Sequence, residues 1–309
     1  MALVACRTSV DDESTAEPAP PVVRVVAAQR GPITARLRTS GETAALRTVR
    51  LASPVTGRVT FLPVHPGDRV TANAVAARVL PIENEAAVHG LGVMRDGNAL
   101  DPAERPLAER LVRDLANRDI AVRAPFAGIV ADRLRNPGEQ VAANDVLLEL
   151  FDPSSMVVLA QVPLQAASTV QPGQAVEVRV GGTRVEGKVA TVLPAVTPQS
   201  LTVPVRVALS GPLPPLLHAA TECDITTSER PDALLIPRTA LRSSEDETHG
   251  SVVVIADERA SYRPVRLGLR DADHIEIVEG LAPGELVAAD GGFTLPDGAR
   301  VAPQAAGAS

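Results

Sequence analysis

Short runs in which apolar and polar residues alternate fill most of the chain. Val176, Val178 and Val180 are separated by Glu177 and Arg179, which predicts a strand with one buried face. Val203, Val205, Val207 and Leu209 repeat the pattern, as do Val265, Leu267 and Leu269, and Ile275 with Ile277. Val22–Val26, Ile33–Leu37 and Leu46–Leu51 predict further strands, and Val252–Ile255 a short buried one. Gly181-Gly182 reads as a hairpin turn, with Val185 and Val189 on the return strand. The turn Pro-Gly-x-x-Val begins at Pro66, Pro137, Pro172 and Pro283. Pro presets φ and Gly accepts the positive φ of a type II turn, so each copy delivers a Val into a strand.

The helical period appears in one stretch. Leu107, Leu111 and Leu115, flanked by Ala108 and Val112, form an apolar stripe. Asp101-Pro102-Ala103-Glu104 supplies a start signal, and Pro106 an alternative start. The helix ends near Asn117 and spans roughly 18–24 Å. Residues 83–95 offer a weaker second arm through Val88, Leu91 and Met94, with a turn at Gly97-Asn98. Gly90 and Gly92 weaken that arm by about 1 kcal/mol each. The leucine stripe is expected to pack on this arm or on the neighbouring β domain rather than on a partner.

A longer signal frames the helix. The segment 52–75 recurs at 123–146, offset by 71 positions without a gap. Pro54, Gly57, Pro66 and Gly67 match Pro125, Gly128, Pro137 and Gly138, and Val59, Val70, Ala72, Asn73 and Val75 also recur. Two related halves around an insert predict one small β domain split in sequence.

Aromatic residues make up 2% of the chain and Trp is absent, so its cores are built from Val, Leu, Ile and Ala. Thin aliphatic cores favour several small modules. The formal net charge is −7 and the basic residues form no stripe, which argues against nucleic acid as a partner. No apolar run approaches the ~20 residues that span a bilayer. Leu3-Val4-Ala5-Cys6 has the form of a bacterial lipobox, which would make Cys6 a lipidation site. Only five residues precede Cys6, too few for a signal peptide, so either the start lies upstream or the match is chance. Residues 7–21 read as a polar tether. A Cys6–Cys223 disulfide has little support.

The half-unit Ala/Ser-Pro-x-x-Gly-x-Val with Pro-Gly-Asp/Glu-x-Val resembles half of a biotinyl/lipoyl-type domain. With a helical insert between the halves, the arrangement resembles the periplasmic adaptor subunits of bacterial efflux pumps, the RND/HlyD-type membrane fusion proteins. Met156–Pro163 with Val170–Val176 resembles that family's β-barrel entry. Leu235–Leu241, Ser251–Ile255, Arg263–Gly268 and Ile275–Val287 resemble its membrane-proximal domain. The resemblance implies a mainly β, elongated multi-domain fold. Its parts are a leader (1–21), returning N-terminal strands (22–50), a lipoyl-like domain in two halves (51–80 and 120–151) and a short helical hairpin (81–119). A β-barrel (152–234), a membrane-proximal domain (235–303) and a tail (304–309) follow.

Lipoyl and biotinyl carriers need a lysine at the joint between the halves. Lys188, the single lysine, lies far from that joint, so no cofactor is expected. His65, His89, His218, His249 and His274 share no metal-ligand spacing, and Cys-x-x-Cys and Gly-x-Ser-x-Gly are absent, which argues against an enzyme. Glu245-Asp246-Glu247 beside His249 reads as a solvated hairpin tip, with metal binding the lesser alternative. The family's channel-docking pattern, Arg-x-x-x-Leu with a later Ser, has no match, since residues 83–119 contain no Ser. Arg105, Arg110 and Arg113 stand as candidate partner contacts on the helix.

The expectation is therefore a non-enzymatic adaptor in the periplasm, held at the inner membrane through a lipid on Cys6. Its partners are an inner-membrane transporter, RND favoured over ABC, and further copies of itself in a hexameric ring or trimer of dimers. The short insert leaves contact with an outer-membrane channel open. The alternative is a stand-alone envelope scaffold or binding protein with an adaptor-like fold.

Overall fold

A computed structural model describes residues 20–96, 101, 103–194, 201–244, 246, 248–290 and 295–305. The chain is mainly β and divides into two compact units, one of residues 37–225 and one built from the segments on either side. Two long strands, Gln29–Ala45 and Ala220–Pro237, each contribute to both units.

In the 37–225 unit the repeat builds two four-stranded sheets. One runs in the order Thr48–Ala52, Val146–Phe151, Gly128–Arg133, Arg69–Val70. The other runs Ile120–Arg123, Val75–Pro81, Gly57–Phe61, Gln140–Val141. Each half thus lends its two-residue strand to the sheet of the other half. Val59, Leu62, Val79, Val130, Leu147 and Leu150 fill the shared core.

A closed barrel follows in the same unit. Its order is Ala175–Val180, Thr183–Val192, Thr202–Leu209, Met156–Pro163, Gln29–Ala45, Ala220–Pro237, and the last strand pairs back on the first. The predicted alternation is what closes it. Val176, Val178, Val180, Val205 and Val207 are buried inside, while Glu177 and Arg179 of the same face-alternating run stay partly exposed. Cys223 is wholly buried in this core, and burial pushes its thiol pKa up. It acts as a small apolar residue. Cys6 lies outside the described residues.

The other unit stacks His274–Glu279, Arg259–Arg270, His249–Ala256 and Leu286–Asp290 in one sheet. The N-terminal strand Val22–Ala27 closes it, antiparallel to Leu286–Asp290 and parallel to Ala302–Ala305. The first strand of the fold therefore pairs with the last, as a nested chain requires.

The insert forms two helices, α1 (Ile82–Asp96) and α2 (Arg105–Ala116). Both arms form, and the arm with the weaker pattern is the longer one. The helix start lies at Arg105 with Pro106 in the first turn, so Asp101 is not its cap. Instead the Asp101 carboxylate accepts from the Ala103 backbone N–H at 3.0 Å. The leucine stripe does not pack as expected. Leu107 is 61% and Leu111 44% exposed, whereas Ala108 is buried and Val112 and Leu115 are half-buried. The covered edge of the helix is Ala108, Val112 and Leu115.

Candidate functional site

The repeat closes on itself through reciprocal hydrogen bonds. Gly67 N–H donates to Val130 O at 2.9 Å, and Gly138 N–H to Val59 O at 2.7 Å. Asn73 N–H donates to Ala124 O at 2.8 Å, and Asn144 N–H to Ser53 O at 2.7 Å. Val59 N–H reaches Glu139 O and Val130 N–H reaches Asp68 O, both at 2.9 Å. Every bond has a twin 71 positions away, so the halves are related by a pseudo-two-fold.

The eight singled-out turn residues divide by role. Pro54 and Pro125 sit exposed in the bends that enter Gly57–Phe61 and Gly128–Arg133. Gly57 and Gly128 allow close backbone approach. A Cβ on Gly57 would lie 2.0 Å from Leu80 O, and one on Gly128 2.4 Å from Phe151 O. Pro66-Gly67 and Pro137-Gly138 form the type II turns, with glycine φ of 94° and 93°. Gly173 and Gly284 adopt 94° and 88° in the other two copies. The residue after each glycine carries a signal that sequence reasoning missed. Asp68 accepts from His65 N–H at 2.8 Å, Gln174 from Gln171 N–H at 2.9 Å and Glu285 from Ala282 N–H at 2.7 Å. Glu139 accepts from the Asn136 side-chain amide at 2.7 Å. An acceptor side chain thus clamps every turn, which the sequence records as Asp, Glu or Gln at that position.

The joint between the halves is the helical hairpin, with no lysine in it. Lys188 stands on a barrel strand opposite Ala175 and Ala208. The hairpin is tied down at its base. Arg58 donates to Glu85 of α1 at 2.6 Å and to Gly138 O of the opposite half at 2.7 Å. Arg78 meets Asp119 at 3.1 Å, and the Thr60 hydroxyl meets the same carboxylate at 3.2 Å. Of the candidate contacts on α2, Arg110 and Arg113 are exposed and Arg105 is half-buried. Arg113 lies in the last turn, where a cation suits the helix dipole. Leu107 and Leu111 are exposed on the same helix.

The histidines sit beside acids in turns. His65 faces Asp68, His218 faces Glu42 and His274 faces Asp271, at 3.8, 3.3 and 3.7 Å. At the candidate metal tip, Asp246 accepts from the N–H groups of Thr248 and His249, both at 2.7 Å. Those bonds, with the Thr248 hydroxyl and the His249 ring, hold its carboxyl well below the usual range. The carboxylate is used as a turn clamp; Glu245 and Glu247 lie outside the described residues. Among the described residues no three metal-capable side chains converge.

Two buried carboxylates are paired with arginine. Asp224 accepts from Arg38 at 2.9 Å and Arg179 at 3.1 Å on the barrel. Glu276 accepts from Arg230 at 2.7 Å and from Leu269 N–H at 2.8 Å in the other unit.

Two family models match. A CusB-like β-barrel domain covers residues 158–216, and a CzcB C-terminal circularly permuted SH3-like domain covers residues 234–296. The cation efflux system protein CzcB of Alcaligenes sp. (strain CT14) is 28% identical over 178 residues, 56% of this chain and 34% of that protein. The macrolide export protein MacA of Escherichia coli O157:H7 is 30% identical over 175 residues, 53% of this chain and 47% of that protein. These matches thus span less than half the length of either relative. The crystal structure of MacA from Actinobacillus actinomycetemcomitans superposes with a TM-score of 0.63 at 18% identity, covering 86% of this chain and 99% of that one. The class defined by a split β domain, a helical insert, a barrel and a circularly permuted SH3-like module is that of periplasmic membrane fusion adaptor proteins. This chain has that architecture.

Proposed function

We propose that the chain is a non-enzymatic periplasmic adaptor that links an inner-membrane efflux transporter to an outer-membrane channel. The observation that carries the reading is the reciprocal closure of the split domain around a hairpin where a carrier domain would hold its lysine. The domain is thereby a rigid mount for the hairpin. The relatives named for cation efflux and macrolide export support an efflux role and leave the cargo open between ions and organic molecules. A transporter of the RND type is favoured by the match to an RND, CusB-like barrel model, and an ABC transporter is the alternative. Assembly is through copies of the chain in a ring, a hexamer or a trimer of dimers. Contact with the channel is proposed along α2, through Arg105, Arg110 and Arg113 with the exposed Leu107 and Leu111. Among the described residues no helix is long and apolar enough to cross a membrane. Anchoring at the inner membrane is assigned to a lipid on Cys6.

The decisive experiment is co-purification of the full chain with the transporter encoded beside it, together with susceptibility testing of a deletion strain. Retention of the transporter and increased susceptibility are expected. Loss of both would return the chain to a stand-alone envelope scaffold. Cys6→Ser should shift the protein from the membrane to the soluble fraction.

A further inference from the structure

The pseudo-two-fold supplies an internal control for the base of the hairpin. Position 58 is Arg in the first half, and its counterpart 71 positions on is the buried Ile129. Beside both positions the closing bonds are alike: Gly138 N–H to Val59 O at 2.7 Å, and Gly67 N–H to Val130 O at 2.9 Å. The half without the arginine closes as the half with it does, so closure does not need the arginine. What differs is the next element. Val75–Pro81 runs directly into α1, whereas its counterpart Val146–Phe151 leads to the barrel strand Met156–Pro163.

The Arg58 guanidinium joins the hairpin to both halves. Nε donates to Glu85 Oε1 in the first turn of α1 at 2.6 Å, and a terminal nitrogen donates to Gly138 O at 2.7 Å. Gly138 lies in the turn of the opposite half and is bonded to Val59, the neighbour of Arg58. A planar fork with donors at fixed angles holds direction as well as distance, which an ammonium does not. The two side chains are 40% and 28% exposed, so the pair contributes little to global stability.

The rest of the hairpin base repeats the lesson. Ile82 N–H donates to Thr56 O at 3.0 Å where strand becomes helix. Beyond α2, Arg78 and Thr60 both reach the Asp119 carboxylate. The counterparts of these three are Glu149, Ala131 and Thr48, and Glu149 pairs with Arg50 instead. The polar set is therefore confined to the end of the split domain that bears the hairpin.

We infer that Arg58 is a positioning residue: it fixes the direction in which the hairpin leaves the split domain and, by holding Gly138 O, couples that direction to the closing of the two halves. The inference deepens the adaptor reading, in which the hairpin reaches a partner, and rests on it for its purpose alone.

The test is the spread of hairpin directions in the full chain. With Cys6→Ser in place, nitroxides are attached at Glu109→Cys on α2 and at Ala143→Cys, both exposed positions. Ala143 is bonded to Thr56 beside the hairpin base, and the wholly buried Cys223 is not labelled. Pulsed electron resonance then gives the distribution of distances between the labels. Arg58→Met keeps the aliphatic stem and removes both bonds. It should raise the share of molecules outside the parent distribution about threefold, the weight of one partly exposed ion pair. Hydrogen exchange at the Val59 and Val130 amides should stay at the parent rate, which a merely structural role would not allow. Glu85→Gln should widen the distribution less, and adding it to Arg58→Met should change nothing further. An unchanged distribution in Arg58→Met would overturn the inference, and so would faster exchange at Val130, which would make the arginine part of the closure. Should Arg58→Met melt early, Glu85→Gln, which alters only the bond to α1, carries the same test. Retention of the transporter by the parent chain is a separate measurement, so the adaptor reading and the role of Arg58 can fail independently.

Discussion

The split β domain and the helical hairpin it carries use their residues in opposite ways. In the β domain most apolar residues of both halves are interior, with Phe61, Ile120 and Leu134 exposed, and the backbone bonds between halves occur in twinned pairs. In the hairpin, α2 buries only Ala108, and two of its three leucines, Leu107 and Leu111, face solvent. The β domain buries fourteen residues in one core, whereas α2 buries one. Glycine sharpens the contrast. The β domain needs Gly57 and Gly128 because carbonyl oxygens occupy the place of a Cβ, while Gly90 and Gly92 of α1 have open space around theirs.

The largest effect should come from breaking the close approach. Gly57→Ala and Gly128→Ala each force a Cβ against a strand backbone that cannot rotate away. Each should cost about 3 kcal/mol. Hydrogen exchange at the Val59 and Val130 amides is the readout, since both are bonded across the pseudo-two-fold. Either substitution should speed exchange at both amides, because the halves close together. Acceleration confined to the mutated half would break the claim of reciprocal closure.

A smaller and equal effect is expected at the turns. Gly67 and Gly138 sit at nearly the same φ with nothing near the missing Cβ. Alanine there is strained by conformation alone, by about 1–2 kcal/mol. The two single variants should lower thermal stability by the same amount within error. Unequal costs would show that the symmetry stops at the backbone.

In the hairpin the sign reverses. Gly90→Ala and Gly92→Ala meet no neighbour and should each stabilise α1 by about 0.5–1 kcal/mol, seen as slower exchange of α1 amides. A loss of stability would mean that α1 needs its glycines for close packing, as the β domain needs its own.

What the sequence made legible follows the same division. The repeat and the alternating valines are local, periodic signals, and they foretold a split β domain and strands with one buried face. The stripe of Leu107, Ala108, Leu111, Val112 and Leu115 obeys the same periodic logic, yet only its Ala108, Val112 and Leu115 edge is covered, because periodicity gives a helix an apolar side without saying how much of it a neighbour covers. α1 was underrated for a related reason: propensity charges Gly90 and Gly92 against the helix, but Arg58–Glu85 and the packing of α2 come from outside it. The clamps at Asp68, Glu139, Gln174 and Glu285 were visible as residue types, and only the turn geometry revealed their shared task. A cleft lined by Ala44, Ala131 and His218 was invisible, since those residues are far apart in sequence.

The smallest effect concerns those clamps and depends on pH. Hydrogen bonds from the Asn136 side chain and backbone hold the Glu139 carboxyl below its ordinary range, and the Ala282 N–H, then Arg263, do the same for Glu285. A carboxyl depressed in the folded state contributes stability that is present above its unfolded pKa, about 4.3, and is lost as pH falls through the lower folded value. Glutamine can still accept the turn bond, as Gln174 does in the barrel copy, but it does not titrate. Glu139→Gln and Glu285→Gln should therefore be slightly less stable than the parent at pH 7, and the gap should close toward pH 3, when melting is compared across that range. Both groups are exposed enough for solvent and salt to screen the charge, so the gap should also shrink at high ionic strength. A gap that stayed constant with pH would assign the clamp to hydrogen-bond shape alone, with the charge of Glu139 and Glu285 playing no part in closing the turn.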